Sequence, residues 1–247
     1  MKIVATIEAR MTSTRLPGKV LLPLGGKPVL ERLIERVKRS KYIDEIVVAT
    51  TVKATDNPVV ELCERLNVKY FRGSEEDVLE RVLNAARTFN ADMICELMGD
   101  SPLIDPVIID QTITAHLAGN YDYTSNFFPE NTFPMGFAVQ VFPLSVLERV
   151  ASLTDDPVDH AHVSCFIYHN PRLFRLNGVV ANAEVSAPNI RLCLDTKSDY
   201  ELVTKVFDAL YRENSGFLAK DAVRYLSANP DLLSINRNTK PKAIEEG

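Results

Sequence analysis

The chain contains no tryptophan, and only ten of its 247 residues are glycine. No two glycines stand in a G-x-G arrangement; Gly18-Lys19 is followed by valine and Gly26-Lys27 by proline. The usual dinucleotide fingerprint and the Walker A phosphate loop are therefore both missing. So is a G-x-S-x-G turn that would expose a serine nucleophile. The four cysteines, Cys63, Cys95, Cys165 and Cys193, are too widely separated for a zinc site. They read as reduced, mostly buried residues of a cytoplasmic protein. No apolar run approaches the roughly eighteen residues of a membrane span, and the first residues lack the pattern of a secretory leader. A net charge of −5 disfavours a general nucleic-acid-binding surface.

What remains is a composition ordinary for a soluble globular protein, 46% hydrophobic and 25% charged. Its length suits one large α/β domain or two small ones, with room for a sizeable core. Strand and helix patterns alternate. Strands are expected over 2–7, 45–51, 68–71 and 92–97, and helices over 28–40, 58–66, 74–86 and 107–117. Asp56 is expected to cap the second helix and Ser74 the third, with Asp77 completing an approximate capping box. This rhythm implies a mainly parallel sheet covered by helices on both faces, a three-layer α/β/α sandwich. Beyond Gly119 the rhythm changes, with strands expected over 121–126, 137–142, 173–180 and 190–194. Helices are expected over 144–151, 157–169, 196–212 and 218–227, and an extended or partly disordered tail over 229–247. One domain spanning 1–247 is the expected organisation, with an irregular arm or insertion at about 120–190.

The stretch 7–19, IEARMTSTRLPGK, follows the first strand and carries the cations Arg10, Arg15 and Lys19 beside the hydroxyls of Thr12, Ser13 and Thr14. A cationic, hydroxyl-rich loop at the carboxyl end of a parallel strand is where α/β sheets place ligands, and it offers N–H groups and charge to phosphates. A solvated loop explains the same residues about as well. Gly99-Asp100-Ser101-Pro102 follows the fourth strand, and Asp195 ends a late one. A phosphoryl-transfer site needs hard oxygen ligands for Mg²⁺, and two aspartates at strand ends can converge on one ion. Equally, Asp100 can shape a turn and Asp195 can cap the helix near Thr196.

The first loop resembles the nucleotide-binding loop of the sugar-activating cytidylyltransferases, including CMP-KDO synthetase, and most closely the spore coat polysaccharide biosynthesis protein F family, which reads near Q-A-R-M-x-S-T-R-L-P-G-K. Arg72-Gly73-Ser74 through Leu79 is similar to the R-G-S-x-x-D-V-L segment of that family, and His162-Val163 to an H-V pair. The resemblance runs through LLSIN near the end of the chain and implies a nucleotide-diphospho-sugar transferase-like fold. It implies transfer of CMP from CTP to a sugar or sugar acid, with pyrophosphate released, Mg²⁺ as cofactor and a homodimer as the assembly. A non-catalytic nucleotide- or sugar-binding protein, or a glycosyltransferase of similar fold, is the alternative.

By the same resemblance, Arg10, Arg15, Lys19 and Asp100 act in catalysis, and Asp100 and Asp195 hold the metal. Ala9, Arg10, Met11, Ser13, Thr14, Lys19, Thr50, Arg72, Gly73, Ser74 and Gly99 face the nucleotide, and Gly136, Gln140 and His162 the acceptor. The dimer would pair through 127–142, which carries five phenylalanines. Departures from the family pattern fall at Glu8 within the first loop and otherwise where a sugar acceptor would be read. Glu8 replaces the usual Gln, Glu96 an Arg, Met135 an acid, Ala138 and Gln140 an Asp and a Glu, and Ala161 a Glu. Losing acids at 135, 138, 140 and 161 should weaken recognition of a hydroxyl-rich sugar, and gaining Glu8 and Glu96 should oppose an acceptor that carries a carboxylate or favour one that bears an amine.

Overall fold

A computed structural model of the chain describes residues 1–240. The first half alternates as its sequence demands. Strand β1 (Ile3–Glu8) is followed by a small hairpin, β2 (Pro23–Leu24) and β3 (Lys27–Pro28), and helix α1 (Val29–Val37). Then come β4 (Glu45–Thr51), α2 (Asn57–Arg65), β5 (Lys69–Gly73), α3 (Val78–Thr88), β6 (Met93–Met98) and α4 (Pro106–Leu117). The second half adds β7 (Tyr123–Ser125), β8 (Gln140–Pro143), α5 (Leu144–Leu153), α6 (Pro157–Ala161), α7 (Cys165–His169), β9 (Leu176–Gly178), α8 (Lys197–Glu213) and α9 (Ala219–Ala228). No helix among the described residues is long and apolar enough to cross a membrane.

Seven strands form one sheet in the order β5-β4-β1-β6-β8-β7-β9. β5, β4, β1 and β6 are parallel, β8 runs antiparallel to β6, and β7 and β9 pair parallel with each other. Because side chains alternate along a strand, the sheet is apolar on both faces. Ala5, Ile7, Val48, Cys95 and Leu97 pack with residues of α1, α2, α4, α8 and α9, whereas Val4, Val47, Ala49 and Ile94 pack with α3 and α5. The chain leaves β1 toward β4 and β5, then returns to β6 on the other side of β1. A crevice opens at such a reversal, outside the carboxyl ends of the strands. Gly99 closes its floor. Its N–H donates to the Glu8 carbonyl at 3.0 Å, and a Cβ there would lie 2.3 Å from that oxygen.

Several local expectations are corrected. Asp56 does not cap α2. Its buried carboxylate instead accepts from the N–H of Met11 at 2.7 Å, the N–H of Thr51 at 3.2 Å and the Thr51 hydroxyl, joining the first loop to the end of β4. Asp77, not Ser74, caps α3, accepting from the Glu80 N–H at 2.8 Å, while Ser74 receives the Asp77 N–H. The helix expected over 157–169 is broken into α6 and α7 at Val163, whose φ of 41° lies where a β-branched residue rarely sits. Residues 190–194 form no ladder, only one bridge between Met135 and Arg191, fixed by Leu192 N–H to Met135 O at 2.8 Å. Gly136 makes that approach possible, since a Cβ would meet the Leu192 backbone at 2.7 Å. The tail is ordered at least through Asn236, which is 5% exposed and follows a short 3-10 turn, Pro230–Ser234; residues 241–247 lie outside the described residues. Phe133, Phe137 and Phe142 are buried within the chain itself.

Removing the Asp56 carboxylate strands two N–H groups, one on the first loop and one at the end of β4. Asp56→Ala should lower the free energy of unfolding by about 2–4 kcal/mol, measured by urea denaturation. It should also loosen residues 10–12, seen as faster amide exchange there than in the parent.

Candidate active site

The first loop leaves β1 with Ala9 N–H bonded to Ala49 O at 3.3 Å and turns back where Gly18, at φ 70°, donates to Met11 O at 2.9 Å. Arg10 reaches Glu75 at 3.3 Å, and the Thr12 hydroxyl donates to the same carboxylate. Lys19 reaches the centre of the crevice. Its ammonium donates to Asp100 Oδ2 at 2.7 Å and to Asp195 Oδ1 at 2.9 Å. Asp195 also accepts from Arg15 at 3.0 Å and from Arg191. Asp100 and Asp195 are brought together by the backbone as well, through Leu194 N–H to Asp100 O at 2.8 Å. Burial works against charge on Lys19, but the two carboxylates outweigh it and raise its pKa. Burial likewise opposes ionisation of Asp195, and the charges of Lys19, Arg15 and Arg191 outweigh it and lower its pKa. Asp195 is not a helix cap; Thr196 caps α8 in a capping box with Asp199.

These groups line a cleft of about 340 Å³. It gathers Ala9, Arg10, Ser13, Thr14, Arg15, Lys19, Gly99, Asp100, His162 and Asp195. Of the other expected contacts, Met11, Thr50, Arg72, Gly73, Ser74, Gly136 and Gln140 are not among the lining residues. Thr50 is fully buried, and the Arg72 guanidinium is engaged by Thr51 O, Asn57 and Lys53 O at 2.8–2.9 Å. Gln140 spends its carbonyl on the Tyr123 hydroxyl at 2.5 Å and the Ser164 hydroxyl at 2.6 Å.

Two carboxylates that reach one ammonium provide the hard oxygens Mg²⁺ prefers. Among the described residues no third His, Cys, Asp or Glu joins them. A divalent ion held by Asp100 and Asp195 would therefore complete its shell with substrate oxygens and water, as Mg²⁺ commonly does. The residues present fit that group.

Three further ionisable groups stand at the cleft wall; Arg81 was not read from the sequence as a site residue, and Glu8 and Glu96 were read only as departures from the family pattern. Arg81, Glu8 and Glu96 project from α3, β1 and β6. Arg81 and Glu8 line the cleft, and Arg81 and Glu96 are each 3% exposed. Glu8 pairs in register with Met98, and Glu96 with Thr6, which puts the two acids diagonally on the same face. The two carboxyls lie close enough to interact, and each is buried. Burial, then the charge of Glu8, pushes the Glu96 acid well up. Burial also raises Glu8, opposed by the charge of Arg81 and the hydrogen bond from Glu96. The signal available in the sequence was Arg81 standing within the apolar stripe that includes Val78 and Val82.

The sequence of residues 4–227 matches the family model described as Cytidylyltransferase. The chain belongs to the cytidylyltransferase family. It is 36% identical to the spore coat polysaccharide biosynthesis protein SpsF of Bacillus subtilis, over 93% of this chain and 95% of that one. A solved cytidylyltransferase structure from Leptospira borgpetersenii superposes with a TM-score of 0.89 at 33% identity, covering 98% of this chain and all of the other. A CMP-2-keto-3-deoxy-manno-octonic acid synthetase solved in complex with CTP shares the fold, with a TM-score of 0.64 at 20% identity over 85% of this chain and all of that one. The architecture is thus that of the nucleotide-diphospho-sugar transferases, and the chain is a nucleotidyltransferase of the cytidylyltransferase kind.

The acid pair has a consequence for stability. Glu96 holds its proton above the ordinary value of 4.5 in the folded chain. Below that pH neither state is ionised; as pH rises past it the unfolded chain alone ionises, and stability falls until the folded acid titrates too. Glu96→Gln, which keeps a donor toward Glu8, should therefore raise the midpoint of thermal unfolding at neutral pH by a few degrees. The gain should shrink to nothing as pH falls through the ordinary carboxylate range, in paired calorimetric scans.

Proposed function

We propose that this cytidylyltransferase moves CMP from CTP to a sugar or sugar-acid acceptor in a Mg²⁺-dependent reaction. The observation that carries the reading is the Lys19 ammonium held between Asp100 and Asp195 at the sheet's crevice, with Arg15 on the same carboxylate. In this reading an acceptor oxygen forms a bond to the α-phosphorus as the bond to the β-phosphate oxygen breaks. The acceptor's hydroxyl proton passes to solvent and pyrophosphate leaves. Arg10, Arg15 and Lys19 offset the charge that grows on the leaving group. Asp100 and Asp195 would hold Mg²⁺, whose chemistry is to neutralise phosphate charge and orient the α-phosphate. Positioning and electrostatics suffice, and no covalent protein nucleophile is needed. Ala9, Ser13, Thr14 and Gly99 serve the nucleotide, and His162 the acceptor.

The reading includes a cytoplasmic setting, which four free cysteines support, and a symmetric homodimer. The dimer reading follows the family resemblance, which pairs subunits through 127–142, where Phe127 and Phe128 are only partly buried.

Pyrophosphate release from CTP, followed across sugar acids and sugar phosphates, tests the activity. Asp100→Asn and Asp195→Asn should each abolish release with the fold intact by circular dichroism; turnover within about tenfold of the parent at saturating Mg²⁺ would remove that residue from the metal site. Sedimentation equilibrium at micromolar concentration should give twice the chain mass. A purely monomeric profile would leave 127–142 as part of the chain's own fold alone.

A further inference from the structure

The phosphate half of the cleft is closed electrostatically, each acid there meeting a cation, but the wall formed by the outer ends of β1 and β6 is not. Glu8 Oε1 and Glu96 Oε2 are shut from solvent and meet no protein donor. The Thr6 hydroxyl, on the same face and in register with Glu96, is unpartnered too. Buried polar atoms normally find partners, so a cluster without them, reaching the cleft through Glu8, points to a ligand group there. The cluster consists mostly of acceptors. Arg81 does not satisfy it: its Nη1 donates to the carbonyls of Ser74 and Glu75, and its Nε has no acceptor.

Charge narrows the choice of ligand. Of the two acids Glu8 is the one that lines the cleft, and the nearby Arg81 and His162 favour its charged form, whereas burial and Glu8 favour the neutral form of Glu96. A second carboxylate brought against Glu8 would be a like charge in a partly desolvated site, a strongly unfavourable arrangement. A protonated amine there gains both a hydrogen bond and the opposite charge, roughly twice the strength of a neutral bond.

We propose that the acceptor half of the cleft takes an amino sugar, whose protonated amine is received by Glu8 against the Glu96 carboxyl, and that it turns away sugars presenting a carboxylate at that wall. The proposal rests on the cytidylyl-transfer reading and narrows its acceptor. Glu8 is here a specificity determinant, positioned by Glu96 across the strand pair.

The test uses the protein loaded with CTP and Mg²⁺. Calorimetry with CTP comes first; no CTP binding would overturn the cytidylyl-transfer reading itself. With CTP bound, acceptor binding and pyrophosphate release are then compared across matched sets. Each set holds an amino sugar (glucosamine, galactosamine or a 4-amino-4-deoxyhexose), its hydroxyl parent and the corresponding uronic acid, both free and as the 1-phosphate. At least one amino sugar should bind at least about tenfold more tightly than its hydroxyl parent, and the uronic acids should give no release. Glu8→Gln should bring the amine and hydroxyl members of that set within about threefold of each other, and Glu8→Asp should retain part of the preference. Turnover of a uronic acid by the parent protein would overturn the proposal with the nucleotide reading intact. So would amino sugars that bind no more tightly than their hydroxyl parents, or an amine preference that survives Glu8→Gln. The comparison within the parent protein decides the matter even where a variant fails to fold.

Discussion

A single ammonium ties three distant parts of the chain together. Lys19 comes from the loop after β1, Asp100 from the loop after β6, and Asp195 from the extended segment before α8. Each of the two carboxylates would be costly to bury alone, and each is stabilised by the same cation. The arrangement extends outward in shells. Asp195 is shared with Arg15 and Arg191, Arg191 donates to Asp199 at 3.0 Å, and Asp199 accepts from Asn236 at 2.9 Å. Charge on the phosphate side is thus nearly balanced before any substrate arrives, and rigidly so, because Asp199 is fully buried and also receives the N–H groups of Asp195 and Thr196.

The opposite wall is built on another principle. β1 and β6 are adjacent parallel strands whose alternation places Ile7 and Leu97 in one core and the even-numbered residues on the other face. Val4 and Ile94 fill that face near the amino ends. Toward the carboxyl ends it turns polar, through Thr6, Glu8 and Glu96, where α3 supplies Arg81 in place of an apolar side chain. A sheet that is apolar over most of its length is therefore interrupted just where a ligand would touch it. The protein tolerates acids there because burial and its neighbour hold Glu96 toward its neutral form and a guanidinium lies near Glu8, not because they are solvated.

The fold could be read closely from local pattern. β4 was expected over the residues it occupies, and the parallel alternation up to α4 follows from apolar runs separated by amphipathic stretches. Where pattern failed, a long-range contact had taken over a local role. Asp56 looks like a cap because it precedes a helix with Pro58 in its first turn, yet Met11, far away in sequence, claims its carboxylate. Residues 190–194 have the composition of a strand but find only the loop around Gly136 beside them. In the candidate site, the cations and the two aspartates stood out because charged residues at strand ends are conspicuous. Gln140 looked available, and only the folded structure reveals that Tyr123 and Ser164 already occupy its carbonyl. Arg72 is likewise engaged, by two backbone carbonyls and Asn57 that no local window contains together.

The antiparallel direction of β8 has a different kind of consequence. A parallel neighbour of β6 would bring its carboxyl end to the crevice; β8 brings its amino end instead, with Gln140 opposite Glu96. The chain between β7 and β8, 126–139, therefore loops out on the same side as the cleft. That loop carries Met135, bridged to Arg191, which donates to Asp195, and it leads into Gln140 opposite Glu96, so one segment reaches both walls of the cleft.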